Sequence, residues 1–140
     1  MTQINAYISF NGNCREAMNF YKDCLGGELN LMQVKDTPAA AACPAGTEDQ
    51  IMHSSLTKNE MVLFATDMVG QEAFRQGNNM ALCVNCSNEE EINDFFKKLA
   101  LGIFGSEDDC MQFDAIPHGY HYFLFVIGGD VLSKCESDGE

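Results

Sequence analysis

One stretch constrains the fold of this chain more than any other. From Tyr7 to Leu29, YISFNGNCREAMNFYKDCLGGEL, the hydrophobic period changes from 2 to 3.6 and back, with turn chemistry at both joints. Ile4, Ala6, Ile8 and Phe10 alternate with Asn5, Tyr7 and Ser9, which predicts a strand broken at Asn11-Gly12. Asn13 stands where a side chain can cap the first free N–H groups of a helix, and Glu16, three residues on, completes a capping box. Cys14, Ala17, Met18, Tyr21 and Leu25 then form one apolar stripe at helical spacing. Gly26-Gly27 stops the helix, because glycine takes the left-handed conformation without steric cost. The predicted unit is strand, helix, strand.

Glu28 to Val34 reads as the second strand, and Lys35 to Asp49, with Pro38, Pro44 and Gly46, as a long loop of the kind that is often functional. Ile51 to Thr57 and Glu60 to Asp67 flank Lys58-Asn59 at hairpin spacing, and Asn59 tolerates the positive φ of a tight turn. After a polar stretch with Gly70 and Gly77, the opening pattern returns. Asn79 to Asn85 is strand-like, Ser87 and Glu90 form a capping box, and Ile92, Phe95, Phe96 and Leu99 repeat the helical stripe before Gly102. Under one constant shift Ile4 falls on Met80, Phe20 on Phe96 and Gly26 on Gly102, which predicts an internal βαβ repeat. Tyr120 to Ile127 is a buried strand rich in aromatic and β-branched residues, with Cys110 to Ile116 and Asp130 to Cys135 as candidate neighbours. The predicted organisation is a single domain over 1–140: module one at 1–68, a linker at 69–78, module two at 79–135 and a frayed tail at 136–140.

The balance of 21 acidic against 8 basic residues gives a net charge of −13. With no Lys/Arg cluster, this acidic chain lacks the cations needed to replace the counterions of a nucleic acid or to settle on an anionic membrane. No apolar run is long enough to span a bilayer, and the N-terminal MTQINAY has neither the basic nor the apolar region of a secretion signal. The expectation is a cytoplasmic protein whose seven cysteines, an odd number lying largely in apolar patterns, are reduced and mostly buried.

The spelling INAYISFNGNCREAMNFYKDCLGGEL, the CPAG of the long loop and IMHSSLTKNEMVLFATDM resemble the PhnB-like branch of the vicinal oxygen chelate superfamily. That superfamily includes glyoxalase I, extradiol dioxygenases and the bleomycin and fosfomycin resistance proteins; members of the branch also carry a demethylubiquinone methyltransferase label. The resemblance spans Met1 to Gly102. Chains of the branch usually end in a strand pair with a Trp-containing segment, whereas this chain has no Trp, and residues 103–140 depart from the pattern. The resemblance implies an α+β fold in which two paired βαβββ modules form a cupped mixed sheet, a homodimer, and a small-molecule ligand in an apolar pocket. Binding with or without catalysis is the first functional reading. A metal-dependent lyase or dioxygenase of the glyoxalase or extradiol type is the alternative, in which a Lewis acid with vacant positions stabilises an oxyanion.

Carried over residue by residue, the resemblance puts Ala6 at the first metal-ligand position, His53 at the second and Asn79 at the third, with the fourth in the divergent segment. A methyl group cannot ligate and an amide is a weak ligand, so His53 is the only matching position; no cofactor is assigned, and a divalent metal stays open. In the family's strand phase Ala6, Ile8, Phe10, His53, Ser55, Asn79, Ala81 and Cys83 share the concave face with Ile4 and Ile51, while Tyr7, Met52 and Leu56 face the helices. His121 joins the pocket at its mouth in one reading and packs on a strand face in another. His53 is the candidate acid or base, since an ordinary imidazole titrates near neutrality, but it also reads as a hydrogen-bonded wall residue. Cys83-x-x-Cys86 is half of a zinc motif at most, because residues three apart on a strand point to opposite faces.

Overall fold

The period-2 run at the N-terminus becomes strand β1 (Ala6–Phe10), and Ile4 lies outside it, 99% exposed, because the parallel ladder to its partner begins only at Ala6 opposite Leu63. The computed structural model describes residues 1–70, 73–75, 82–104 and 120–124. Two units divide the chain, Met1–Gln76 and Gly77–Glu140.

In the first unit β1 is followed by helix α1 (Cys14–Leu25) and strands β2 (Glu28–Gln33), β3 (Ile51–Lys58) and β4 (Met61–Asp67). They form an open four-stranded mixed sheet in the order β1-β4-β3-β2. β4 is parallel to β1 and antiparallel to β3, which is antiparallel to β2. A parallel pair needs a crossover, and α1, β2 and β3 together provide it.

Helix α1 packs on one face of this sheet. Cys14, Met18, Tyr21, Cys24 and Leu25 are its buried residues, so Cys24 joins the predicted stripe. Beneath them lie Phe10, Leu56, Leu63 and Ala65, none more than 6% exposed. Each large apolar side chain buried here contributes about 1.5–3 kcal/mol, which makes this helix–sheet layer the main source of the unit's stability.

The helix begins differently from the expected capping box. Asn13 occupies the N-cap but makes no side-chain cap hydrogen bond. Instead the carboxylate of Asp67, at the end of β4, accepts the backbone N–H of Cys14 through Oδ1 at 2.9 Å. At the other end Gly26 donates its N–H to the Lys22 carbonyl at 2.8 Å, and Lys58 Nζ donates to the Leu25 carbonyl at 2.7 Å. Gly27 has φ of +103°, and a Cβ there would lie 2.4 Å from the Thr57 carbonyl oxygen, so both conformation and space demand glycine.

Lys58 pairs with Met61, so the hairpin loop is Asn59-Glu60, one residue later than the spacing suggested; Asn59 takes the positive φ, +52°. Val34 leaves the second strand and opens a 3₁₀ turn, Val34–Asp36, with a second at Ala40–Ala42. The long loop is closed at its neck, where Val34 N–H donates to Gln50 O and Lys35 N–H to Glu48 O. An exposed Lys35–Asp49 ion pair at 2.7 Å adds to that closure.

In the second unit strand β5 (Leu82–Cys86), helix α2 (Glu89–Phe104) and strand β6 (Tyr120–Leu124) are described. β5 runs antiparallel to β6, with Leu82 opposite Leu124, unlike the parallel pairing of β1 with β4. The cap of α2 stands one residue later than predicted: Glu91 N–H donates to Asn88 Oδ1 at 2.9 Å, and Ser87 N–H donates to Glu91 Oε2 at 2.8 Å. The candidate strands at Cys110 to Ile116 and Asp130 to Cys135 lie outside the described residues. No helix among the described residues is long and apolar enough to cross a membrane.

Candidate functional site

The face of the first unit's sheet turned away from α1 is built by register. Tyr7 on β1 lies opposite Phe64 on β4, Phe64 opposite Ser55 on β3, and Ser55 opposite Asn30 on β2. Opposed residues project to the same side, so these four share a face with Ser9, Thr66, His53 and Met32, each two positions along its strand. Met32 is paired with His53. A row of Tyr7, Phe64, His53 and Met32 therefore crosses all four strands, with Tyr7 53% and Met32 48% exposed.

The three rings are in mutual contact. Centroids lie 5.8 Å apart for Tyr7–His53, 6.1 Å for Tyr7–Phe64 and 5.4 Å for His53–Phe64, all tilted by 36–39°. Such tilted contacts suit the ring quadrupoles better than a face-to-face stack. The Tyr7 hydroxyl is 3.2 Å from His53 Nδ1, within hydrogen-bond reach. The Thr66 hydroxyl turns back to the backbone, 2.7 Å from the Met52 carbonyl, at the register shift between Met32 and Gln33. Through that shift Ile51 comes opposite Gln33 and is buried, out of phase with His53.

This arrangement splits the concave face expected from the sequence. His53 and Ser55 lie on the open face. Ala6, Ile8 and Phe10 lie on the other, opposite Leu63, Ala65 and Asp67 and beneath α1, and Tyr7, expected to face the helix, stands beside His53 instead. Burial decides the phase: with Phe10 only 2% exposed in the helix–sheet core, alternation carries Ile8 and Ala6 inward and Tyr7 and Ser9 outward. Asn79 and Ala81 lie outside the described residues. Cys83 is opposite Phe123 and His121 opposite Asn85 in the β5–β6 ladder of the second unit. Cys86 ends β5, and like Cys14, Cys24 and Cys43 it forms no disulfide.

Sequence reasoning missed Tyr7, Phe64 and Asp67. For Phe64 and Tyr7 the signal was the parity of LFATD: Leu63, Ala65 and Asp67 alternate with Phe64 and Thr66, and pairing β1 to that alternation places Tyr7 with Phe64. Asp67 is buried, 3% exposed, and binds two backbone N–H groups, Cys14 and Ile51, as a buried carboxylate must.

Cys14, whose backbone N–H this carboxylate accepts, has a fully buried side chain. Burial, reinforced by the charge of Asp67, pushes its thiol from 9.0 up to about 11. Ser54 donates its own proton to the Ala65 carbonyl at 2.9 Å, so the thiol is the donor in the 3.6 Å contact with Ser54. A protonated, fully buried thiol is a packing group.

Ala6, at the first ligand position implied by the resemblance, carries only a methyl group and lies on the side opposite His53. Among the described residues no three His, Cys, Asp or Glu side chains are placed to hold a metal ion together.

A protein-family model described as 3-demethylubiquinone-9 3-methyltransferase matches residues 2–111. The chain belongs to this family. Among solved structures, the crystal structure of protein PA1353 from Pseudomonas aeruginosa is 33% identical with a TM-score of 0.65, covering 73% of this chain and 74% of that one. A putative 3-demethylubiquinone-9 3-methyltransferase, PhnB protein, from Bacillus cereus is 24% identical with a TM-score of 0.55, covering 88% and 98%, and shows the fold alone. No curated protein matches the chain. The family match reaches past the segment carrying the PhnB-like spelling and includes every residue of the open face just described.

Proposed function

We propose that this member of the 3-demethylubiquinone-9 3-methyltransferase family is a PhnB-like small-molecule-binding protein of the glyoxalase and bleomycin-resistance type, working as a homodimer of paired βαβββ modules. Its ligand lies on the open face of the first unit's sheet. The observation that carries this reading is the half-exposed row of Tyr7, Phe64, His53 and Met32, a polarizable surface crossing four strands with one hydrogen-bonded imidazole in it. Binding sites are largely apolar and aromatic with a few placed polar groups, and Ser9, Ser55 and Asn30 supply neutral polar groups around the row. Aromatic rings offer contact area at low conformational cost, and Met adapts to the shape laid against it.

A fragment screen followed through the Met methyl and aromatic resonances tests the proposal. Flat neutral fragments are expected to shift Met32, Tyr7 and Phe64 together, and to lose affinity in Phe64→Ala. Hits that map away from these residues would sink it. The methyl transfer named in the family's description needs a methyl donor, so S-adenosylmethionine belongs among the probes. Stoichiometric Ni²⁺, Zn²⁺, Mn²⁺ or Fe²⁺ in the purified protein, lost in His53→Ala, would favour the metal-dependent alternative. Light scattering decides the dimer, which a monomeric species at working concentration would rule out.

A further inference from the structure

We infer that Tyr7 is a positioning residue that holds His53 as its Nε2–H tautomer, so that the open face presents one N–H donor to an acceptor oxygen of a neutral ligand. The inference rests on the binding reading above. A neutral imidazole has one protonated and one bare nitrogen, and the bond made by the first partner decides which is which. That partner is the Tyr7 hydroxyl, 3.2 Å from Nδ1. A phenol donates better than it accepts, because its lone pair is delocalised into the ring, whereas a bare imidazole nitrogen is a strong acceptor. Tyr7 therefore donates, Nδ1 accepts, and the proton resides on Nε2.

Neighbouring rings hold this arrangement in place. Phe64 contacts both members of the pair, at 6.1 Å from Tyr7 and 5.4 Å from His53, and stands opposite Tyr7 in the β1–β4 ladder. The position of the phenol is thus set by strand register. Turning the imidazole over would put a carbon where Nδ1 is and lose the hydrogen bond. Ser9, Ser55, Asn30 and Met32 around the pair carry no formal charge, so the surroundings favour a neutral acceptor such as a carbonyl oxygen. The reverse polarity, with Nδ1–H donating to the phenol, would leave Nε2 bare as in a metal-ligating histidine whose other nitrogen donates to an outer partner.

The tautomer can be read directly from two-bond ¹H–¹⁵N spectra of the full chain at about pH 9, where an ordinary imidazole is neutral. With the His53 signals assigned by their loss in His53→Gln, a bare Nδ1 and a protonated Nε2 are expected. Tyr7→Phe keeps the ring and removes the hydroxyl, and should move His53 toward a mixture of both tautomers. A His53 protonated at Nδ1 overturns the inference, as does a tautomer ratio unmoved by Tyr7→Phe in a variant with native amide spectra. Titration with Ni²⁺ alone gives a second reading. Affinity no weaker in Tyr7→Phe is expected, whereas a loss of about tenfold or more, the effect of deleting a metal ligand's outer partner, overturns the inference. The spectra need no ligand, so failure of the fragment screen would remove the binding reading while leaving the tautomer result distinct.

Discussion

The carboxylate of Asp67 closes the first turn of helix α1 by accepting the Cys14 N–H at 2.9 Å, across 53 residues of sequence. Its second oxygen accepts the N–H of Ile51 at 2.8 Å. The start of the helix, the start of β3 and the end of β4 are thereby joined at one buried group. Helix caps are usually local; this one forms only when the β1–β4 pairing has brought β4 beneath the helix.

Asp67→Ala should therefore cost more than an ordinary cap. Two buried N–H groups lose a charged acceptor together, and each such bond is worth about 1.5–3 kcal/mol, so a loss of roughly 3 kcal/mol or more is expected in urea unfolding. Asp67→Asn keeps one acceptor oxygen and should lose about half as much. A variant Asp67→Ala of unchanged midpoint would show that the carboxylate is incidental to the helix start.

The same pairing explains what could be read from the sequence and what could not. Local signals were legible: the stripe of α1, the stop at Gly26-Gly27, the hairpin at Asn59 and the order strand, helix, three strands. The phase of β1 was not, because Ala6, Ile8 and Phe10 form an apolar set that would suit either a ligand cavity or a helix–sheet core. Only the long-range register to Leu63, Ala65 and Asp67 chooses the core. With that choice Tyr7 moved to His53, and the candidate site changed from an aliphatic cavity to an aromatic row. Asn13 and Glu16 had the right spelling for a local cap, but Asn13 makes no side-chain cap hydrogen bond, and the Cys14 N–H is held by the buried acid from β4.

Gly27 marks the closest approach of the α1–β2 turn to β3. Any side chain there meets the Thr57 carbonyl at 2.4 Å with φ of +103°, so strain and collision add. Gly46, with φ of +89°, has nothing within 4 Å of its would-be Cβ and carries the conformational strain alone. Gly46→Ala should cost about 1 kcal/mol and Gly27→Ala clearly more, of the order of 3 kcal/mol. Equal midpoints in thermal or urea unfolding would contradict the close approach.

Alkaline pH should destabilise the first unit through Cys14 and Tyr21. Burial, with the charge of Asp67, raises the Cys14 thiol from 9.0 to about 11; burial, with Cys24 nearby, raises the Tyr21 phenol from 10.0 to about 12. As pH rises the unfolded chain releases these protons first, which favours unfolding. The thiol's contribution is complete below 9.0 and is lost as pH climbs toward about 11; the phenol's follows between 10.0 and about 12. Urea midpoints should fall across this window, and Cys14→Ala should flatten the first part of the fall. A slope unchanged in Cys14→Ala would remove the thiol as its source.

The cap of α2 offers a test in which two adjacent residues are expected to behave differently. Asn88 contributes its side chain, through Oδ1 accepting the Glu91 N–H, whereas Ser87 contributes only its backbone N–H, donated to Glu91 Oε2. Ser87→Ala preserves that N–H and should change little. Asn88→Ala removes an acceptor at the N-cap and should cost about 1 kcal/mol, the usual value of such a cap. Glu91→Ala should also loosen the first turn, since it leaves the Ser87 N–H to water, while Glu90→Ala should not. Amide exchange along the first turn of α2 separates these cases residue by residue. Faster exchange in Asn88→Ala and Glu91→Ala is expected, with Ser87→Ala and Glu90→Ala near the parent. The opposite order would restore the cap to Ser87 and Glu90, where the sequence spacing first placed it.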